Sequence, residues 1–247
     1  KFDVGTAGTF TATTVGKDAI LTDYAARLEA EAERLAQAAG DRGYGGYVLA
    51  ASMSHLAAQL GNPREIAQLA RAAQEGARGR VTPRAEAMFF AAEARGHALM
   101  GDARATQAAS ARAVSALEAA DPSSGDDPAW IAHFDEAYLA DELAHCHRDL
   151  GQADAAARCA QESLDGLPEN KARRRAIGYV LLATAQVQQR EIEQACNTGL
   201  RAVELLETVR SNRGAEYLDD FQQRLEPFRD EAVVREFGAR LDLQAAA

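Results

Sequence analysis

DPAWIAHFDEAYLADELAHCHRDLGQADAAARCAQESLDGLP, residues 127–168, reads as one helical hairpin. Asp127 is a good N-cap, and Pro128 stands at the first helical position, where a missing N–H costs nothing. A helix is therefore expected from Pro128 to Leu150. Gly151 ends it. Ala153, Ala156, Ala157, Ala160 and Leu164 then recur at helical spacing until Gly166 and Pro168 stop a second helix.

The landmarks are set by their distance from Gly151: Leu143 and Ala144 lie eight and seven residues before it, Ala156 five after, Ser163 twelve after and Pro168 seventeen after. This spacing resembles the tetratricopeptide repeat, a helix-turn-helix unit of about 34 residues. Small residues at Ala144, Ala156 and Ser163 let antiparallel helices approach closely. Three further hairpins show the same pattern. Around Gly101, Phe90 takes the aromatic position, Ala94 the small one and Ala113 the second alanine. Around Arg190, which replaces the turn glycine, stand Tyr179, Ala183, Ala195 and Ala202. Gly61 anchors the fourth, with Met53 and Ser54 before it and Asn62-Pro63 lengthening the turn. The four anchors are 40, 50 and 39 residues apart, so the repeat is divergent, with extended helices and insertions.

The resemblance implies an all-α fold, a right-handed superhelical solenoid of tetratricopeptide-like hairpins with a C-terminal capping helix. Alanine-rich composition and 6% aromatics suit closely packed helices and leave little for a sheet. Residues 1–16, rich in Gly and Thr, are expected to be an extended or partly ordered lead-in. Residues 17–247 then form the repeat domain, opening with a helix over 17–39 that Gly40 to Gly46 stop. The expected helices that follow are Tyr47–Leu60, Arg64–Arg78, Pro83–Met100, Ala103–Ala120, Asn170–Gln189, Ile192–Arg210, Gly214–Glu226 and Asp230–Leu241. Residues 121–128 read as a loop, either a hinge between two halves or a plain surface insertion. Lacking an initiator methionine, the sequence is expected to be a fragment of a longer protein or a processed form.

Lys plus Arg is 27 against 37 for Asp plus Glu, a net charge of −10. Phosphate contacts need a basic face, so direct DNA binding is not expected of these residues. Cys146, Cys159 and Cys196 are scattered with no CxxC, which fits small buried side chains in a reducing cytoplasm. No run of 18 apolar residues suggests a membrane span, and the opening residues lack a signal-peptide pattern.

No metal or cofactor is expected. His145 and His147 point about 200° apart on a helix, too far to share an ion. Ser52, Ser54 and His55 lack a nucleophile elbow or oxyanion loop, so an enzyme is not expected. Lys171, Arg173, Arg174 and Arg175 form a dense basic run at a helix start, against the macrodipole. It reads as a solvated face or as a contact for an acidic partner.

In tetratricopeptide arrays the first helix of each pair lines a concave groove. The resemblance maps that groove onto Val48, Ala51, His55, Ala58 and Gln59, then Met88, Ala91, Arg95, Ala98 and Leu99. The third pair supplies Tyr138, Asp141, His145, Arg148 and Asp149; the fourth, Ile177, Val180, Thr184, Val187 and Gln188. Polar character concentrates in the third. Phe134, Tyr138, Asp141, His145 and Arg148 follow 3-4-3 spacing and are expected on one stripe, with Arg95 and His55 facing from neighbouring pairs. Such a stripe suits a signalling peptide or polar small molecule; alternatively, Asp141, His145 and Arg148 pair along the helix. His97 and His147 fall at packing positions.

The pattern from Trp130 to Gly151, with QADAAAR, the fourth hairpin and the terminal RLEPFRDEAVVREF, resembles actinobacterial transcriptional regulators. These join an N-terminal helix-turn-helix of the XRE type to a C-terminal tetratricopeptide region. The resemblance implies a cytoplasmic, homodimeric ligand sensor that acts on DNA only through an attached domain absent from these residues. The other reading is a ligand-free scaffold for a partner protein.

Overall fold

The computed structural model describes residues 34, 40–59, 61–121, 123–209 and 212–245, omitting the side chains of 55, 56, 59, 212 and 242–245. The described residues are helical and contain no strand. Except for residue 34, the lead-in and the helix expected over 17–39 lie outside them.

The helices come in successive pairs. A first rod begins as α1 (Arg42–Tyr47), widens into a π-helical turn (Val48–Met53) and continues as α2 (Ser54–Gln59); α3 (Pro63–Ala77) folds back on it. Next come α4 (Pro83–Leu99) with α5 (Ala103–Glu118), α6 (Glu136–Asp149) with α7 (Ala153–Gly166), and α8 (Ala172–Gln188) with α9 (Ile192–Thr208). The chain closes with α10 (Asn212–Leu225), a 3-10 turn (Glu226–Phe228) and α11 (Ala232–Ala245). Contacts also run between first helices: the first rod meets α4, α4 meets α6, α6 meets α8 and α8 meets α10.

One backbone device closes the first helix of each of four pairs. Gly61, Gly101, Gly151 and Arg190 hold φ of 70°, 73°, 69° and 64°. In each, the left-handed residue donates its N–H three residues back and its successor donates five back. Gly101 bonds Ala98 at 2.9 Å and Asp102 bonds His97 at 3.0 Å; Gly151 bonds Arg148 at 3.0 Å and Gln152 bonds His147 at 2.9 Å. Asn62 to Ala57 (2.8 Å) and Glu191 to Gln186 (2.9 Å) repeat it. This is the Schellman arrangement, which satisfies carbonyls a helix end leaves open. Arg190 is the one position of the four where a side chain opposes that conformation.

Close approach of small residues holds each pair to the next. A Cβ on Gly96 of α4 would lie 2.7 Å from the backbone nitrogen of Ala67 in α3. Ala70, Ala73 and Ala77 of α3 and Ala85, Ala87 and Ala94 of α4 are likewise fully buried. Phe89 and Phe134 fill the first core, and Phe221 against Phe237 closes the C-terminal one.

Two expected boundaries are corrected. Of the glycines expected to form a stop over 40–46, Gly40 is a left-handed turn residue, but Gly43, Gly45 and Gly46 lie buried inside α1, which Asp41 caps by accepting from the Tyr44 N–H at 2.9 Å. The helix expected from Pro128 starts instead at Glu136, where Asp135 accepts from the Tyr138 N–H at 2.9 Å. Residues 128–134 are turns because Ile131 and Phe134 must reach the core. Arg84 pins this connection through Asp127 and through the Phe134 carbonyl at 2.7 Å.

An ion cluster around the buried Glu93 joins α3, α4 and α5. Glu93, 4% exposed, accepts from Arg71 (2.8 Å) and Gln74 (2.9 Å), with Arg112 at 3.5 Å. His97 lies beside it, its Nε2 3.0 Å from Arg71 Nη2. Burial works against the Glu93 charge, but the Gln74 and Arg71 hydrogen bonds prevail and hold its carboxyl below the usual range.

Replacing Arg190 by Gly is expected to raise stability by about 1 kcal/mol, and Gly151→Ala to lower it by a similar amount, in urea unfolding. Glu93→Gln is expected to lose about 1 kcal/mol at pH 7, because Arg71 and Arg112 are 55% and 49% exposed and solvent screens them. Because the folded-state carboxyl is depressed, this contribution is full above the unfolded carboxylate range and fades as pH falls through the folded value. Unfolding midpoints of wild type and variant should therefore converge at acid pH.

Candidate ligand-binding cleft

The first helices of three successive pairs, with Ile66 of α3, line an apolar cleft of about 50 Å³. The first rod lends Ala50, Ala51, Ser54 and Ala58; α4 lends Met88, Ala91, Ala92, Arg95 and Leu99; Phe134, Tyr138 and Glu142 form the far wall. The space exists because alanines stand where longer side chains would meet. A water needs about 10–15 Å³ by such a measure, so several waters or one small aliphatic group fit. Of the residues mapped onto a groove from the sequence, Ala51, Ala58, Met88, Ala91, Arg95, Leu99 and Tyr138 line it.

Behind the cleft, the polar face of α6 is buried. Arg95 donates to Glu142 at 3.0 Å. Arg174 of α8 lies 3.9 Å from Asp141 and stacks on the Tyr138 ring, 3.3 Å from its centroid. Arg148 bonds Asp149 at 2.6 Å and faces Tyr217 of α10, whose hydroxyl lies 3.2 Å from His145 Nδ1. Arg213, one turn earlier on α10, stacks on Tyr217 and is held charged by Tyr217 and Glu142 against the cost of its burial. Four guanidinium groups thus meet three carboxylates, those of Asp141, Glu142 and Asp149.

The sequence-derived site residues separate into distinct environments. Phe134 precedes α6 and is fully buried, yet its ring packs on Tyr138 at 5.0 Å between centroids and lines the cleft with Tyr138 and Arg95. Tyr138 lies between cleft and cluster, and burial raises its hydroxyl above the ordinary value. Asp141 and His145 are 4% and 0% exposed. Arg148 pairs with its neighbour Asp149 rather than with Asp141, which takes Arg174 instead. Arg95 reaches both cleft and cluster; burial opposes its charge, yet Glu142, Tyr217 and Asp149 hold its pKa above the ordinary value. The side chain of His55 lies outside the described residues. Asp141, His145 and Arg148 are therefore covered by α8 and α10 rather than facing an open groove.

Sequence reasoning missed Glu142, Arg174, Arg213 and Tyr217. A map built within one pair cannot see partners arriving from the next two. Arg174 had a signal, the basic run at Lys171–Arg175, but two of its arginines turn inward. Arg175 caps α7 by donating to the carbonyls of Leu164 and Leu167, both at 2.9 Å.

Burial pushes the Asp141 carboxyl up to about 6, with Arg174 opposing. A folded-state value above the unfolded one means the native chain holds the extra proton between the two. Stability from this residue is full at low pH and declines as pH rises from about 4 to 6. The stability of Asp141→Asn relative to wild type is expected to improve by up to about 3 kcal/mol between pH 4 and pH 7, read from urea unfolding at each pH.

Compared with protein-family models, curated proteins and solved structures, the chain matches none. Among the described residues, no helix is long and apolar enough to cross a membrane.

Proposed function

We propose that this chain is the ligand-binding and dimerising part of a transcriptional regulator, a right-handed superhelix of tetratricopeptide-like pairs that reports occupancy to an attached helix-turn-helix domain. The observation that carries this reading is the cleft shared by three successive first helices. A site built between pairs changes their relative packing when filled, which a site within one pair does not. Residues lining the cleft are also coupled electrostatically to α10: Tyr217 helps hold the Arg95 charge, and Glu142 helps hold that of Arg213. A ligand shifts such an equilibrium only by its differential affinity for the two arrangements.

A scaffold for a partner protein is the second reading, favoured by Leu99 and Met100, 40% and 38% exposed near the cleft. The small-molecule fraction of a cell extract is expected to raise the melting temperature of the chain. The gain should vanish in Ala58→Phe, whose ring fills the mouth from an exposed position. Stabilisation only by the protein fraction, still present in Ala58→Phe, would transfer the function to the scaffold reading.

A further inference from the structure

We propose that a second pocket, between the starts of α6 and α8, binds a small organic phosphate monoester, its phosphate on Lys171 and Arg173 and its body against Leu167, Pro168 and Val209. This site is separate from the apolar cleft and does not depend on the reading given to it.

The pocket supplies the room. It measures about 660 Å³ and opens to solvent. Sites for small molecules commonly fall between about 300 and 1,000 Å³ and join apolar surface to a few polar groups. Leu167 and Pro168, which follow α7, and Val209, which follows α9, give the apolar surface; Lys171, Arg173 and Arg174 give the charge.

The cations argue for the phosphate. Lys171 and Arg173 are exposed, line the pocket and make no ion pair or side-chain hydrogen bond among the described residues. Arg174 adds a third charge, held against the Tyr138 ring and offset in part by Asp141 behind it. No acidic residue accompanies them in the first turn of α8, where positive charge opposes the helix dipole. Such a cluster costs stability by itself, and an anion offsets that cost. Two cations without partners match a dianion better than a carboxylate. A phosphate monoester carries about −1.5 to −2 at pH 7 and offers acceptor oxygens to both side chains.

The α6 edge is consistent with this orientation. Among the lining residues Asp135 is the acidic one, and it already accepts from the Tyr138 N–H at 2.9 Å. It repels an anion there and leaves the phosphate to α8. His133, beside it, senses the basic edge: burial lowers its pKa, and Arg174 and Lys171 lower it further, against a backbone hydrogen bond at Trp130 and the charge of Asp135.

The test uses phenyl phosphate on the full chain at neutral pH, read by calorimetry, beside phenyl sulfate, a monoanion of similar shape, and inorganic phosphate, which lacks the body. Phenyl phosphate is expected to bind at least about tenfold more tightly than either. Lys171→Gln combined with Arg173→Gln, both at exposed positions, is expected to weaken it at least about tenfold with the far-UV circular dichroism unchanged. Arg158→Gln, at an exposed position of α7 outside the pocket, is expected to change it less than about twofold. Bound phenyl phosphate should also move the His133 titration to higher pH in proton NMR. Equal binding of phenyl phosphate and phenyl sulfate, or binding unchanged in the double variant, overturns the proposal. Inorganic phosphate binding as tightly as phenyl phosphate overturns the organic ligand in favour of the free ion. The extract experiment on the apolar cleft is read after phosphatase treatment, which destroys monoesters and so keeps the two sites apart.

Discussion

A left-handed residue at the end of each first helix is the constraint on which the arrangement depends. Once that residue turns the chain, the two paired hydrogen bonds behind it satisfy the open carbonyls, and the next helix has one direction in which to leave. Helix pairs closed in the same way at Gly61, Gly101, Gly151 and Arg190 present equivalent faces. First helices then meet first helices along the stack. The alanines follow from this geometry, because pairs entering at a fixed angle need small side chains where their axes cross. The cleft is a by-product of the same rule, a place where small residues from three helices coincide.

The buried charges need a different account. Taking several arginines and carboxylates out of water carries a large desolvation penalty, which mutual attraction offsets only with good geometry. Around Glu93 the geometry is good, with donors from three helices converging on one carboxylate. Around α6 it is less complete: besides Arg95 Nε, Asp141 Oδ1 and Asp149 Oδ2 are buried without a hydrogen bond among the described residues. The first cluster fastens helices together. The second is looser, and it lies beside the cleft.

Much of the helical order was legible because turn residues and small positions are local signals. All four anchors were readable from spacing, including Arg190, where the chain uses a residue the pattern disfavours. The start of α6 was not. Asp127-Pro128 and Asp135-Glu136 both make sound helix openings, and the choice fell to Ile131 and Phe134, whose burial requires a bend between them. That Ala58, Ala91 and Arg95 fall on facing sides of their helices was readable from spacing before each anchor, and they line one cleft. The fate of Asp141, His145 and Arg148 was not, since Tyr217 and Arg174 lie far away in sequence and no periodicity within α6 announces what covers it.

The contact of Tyr217 with His145 links α10 to α6 past the intervening α8. A stack whose pairs touch only their neighbours stretches like a coil, each joint adding compliance in series. Tyr47 against Trp130 and His133 ties the first rod past α4 in the same way. With a strut at either end, tension on the described pairs is shared by all of them at once instead of opening one joint before the next.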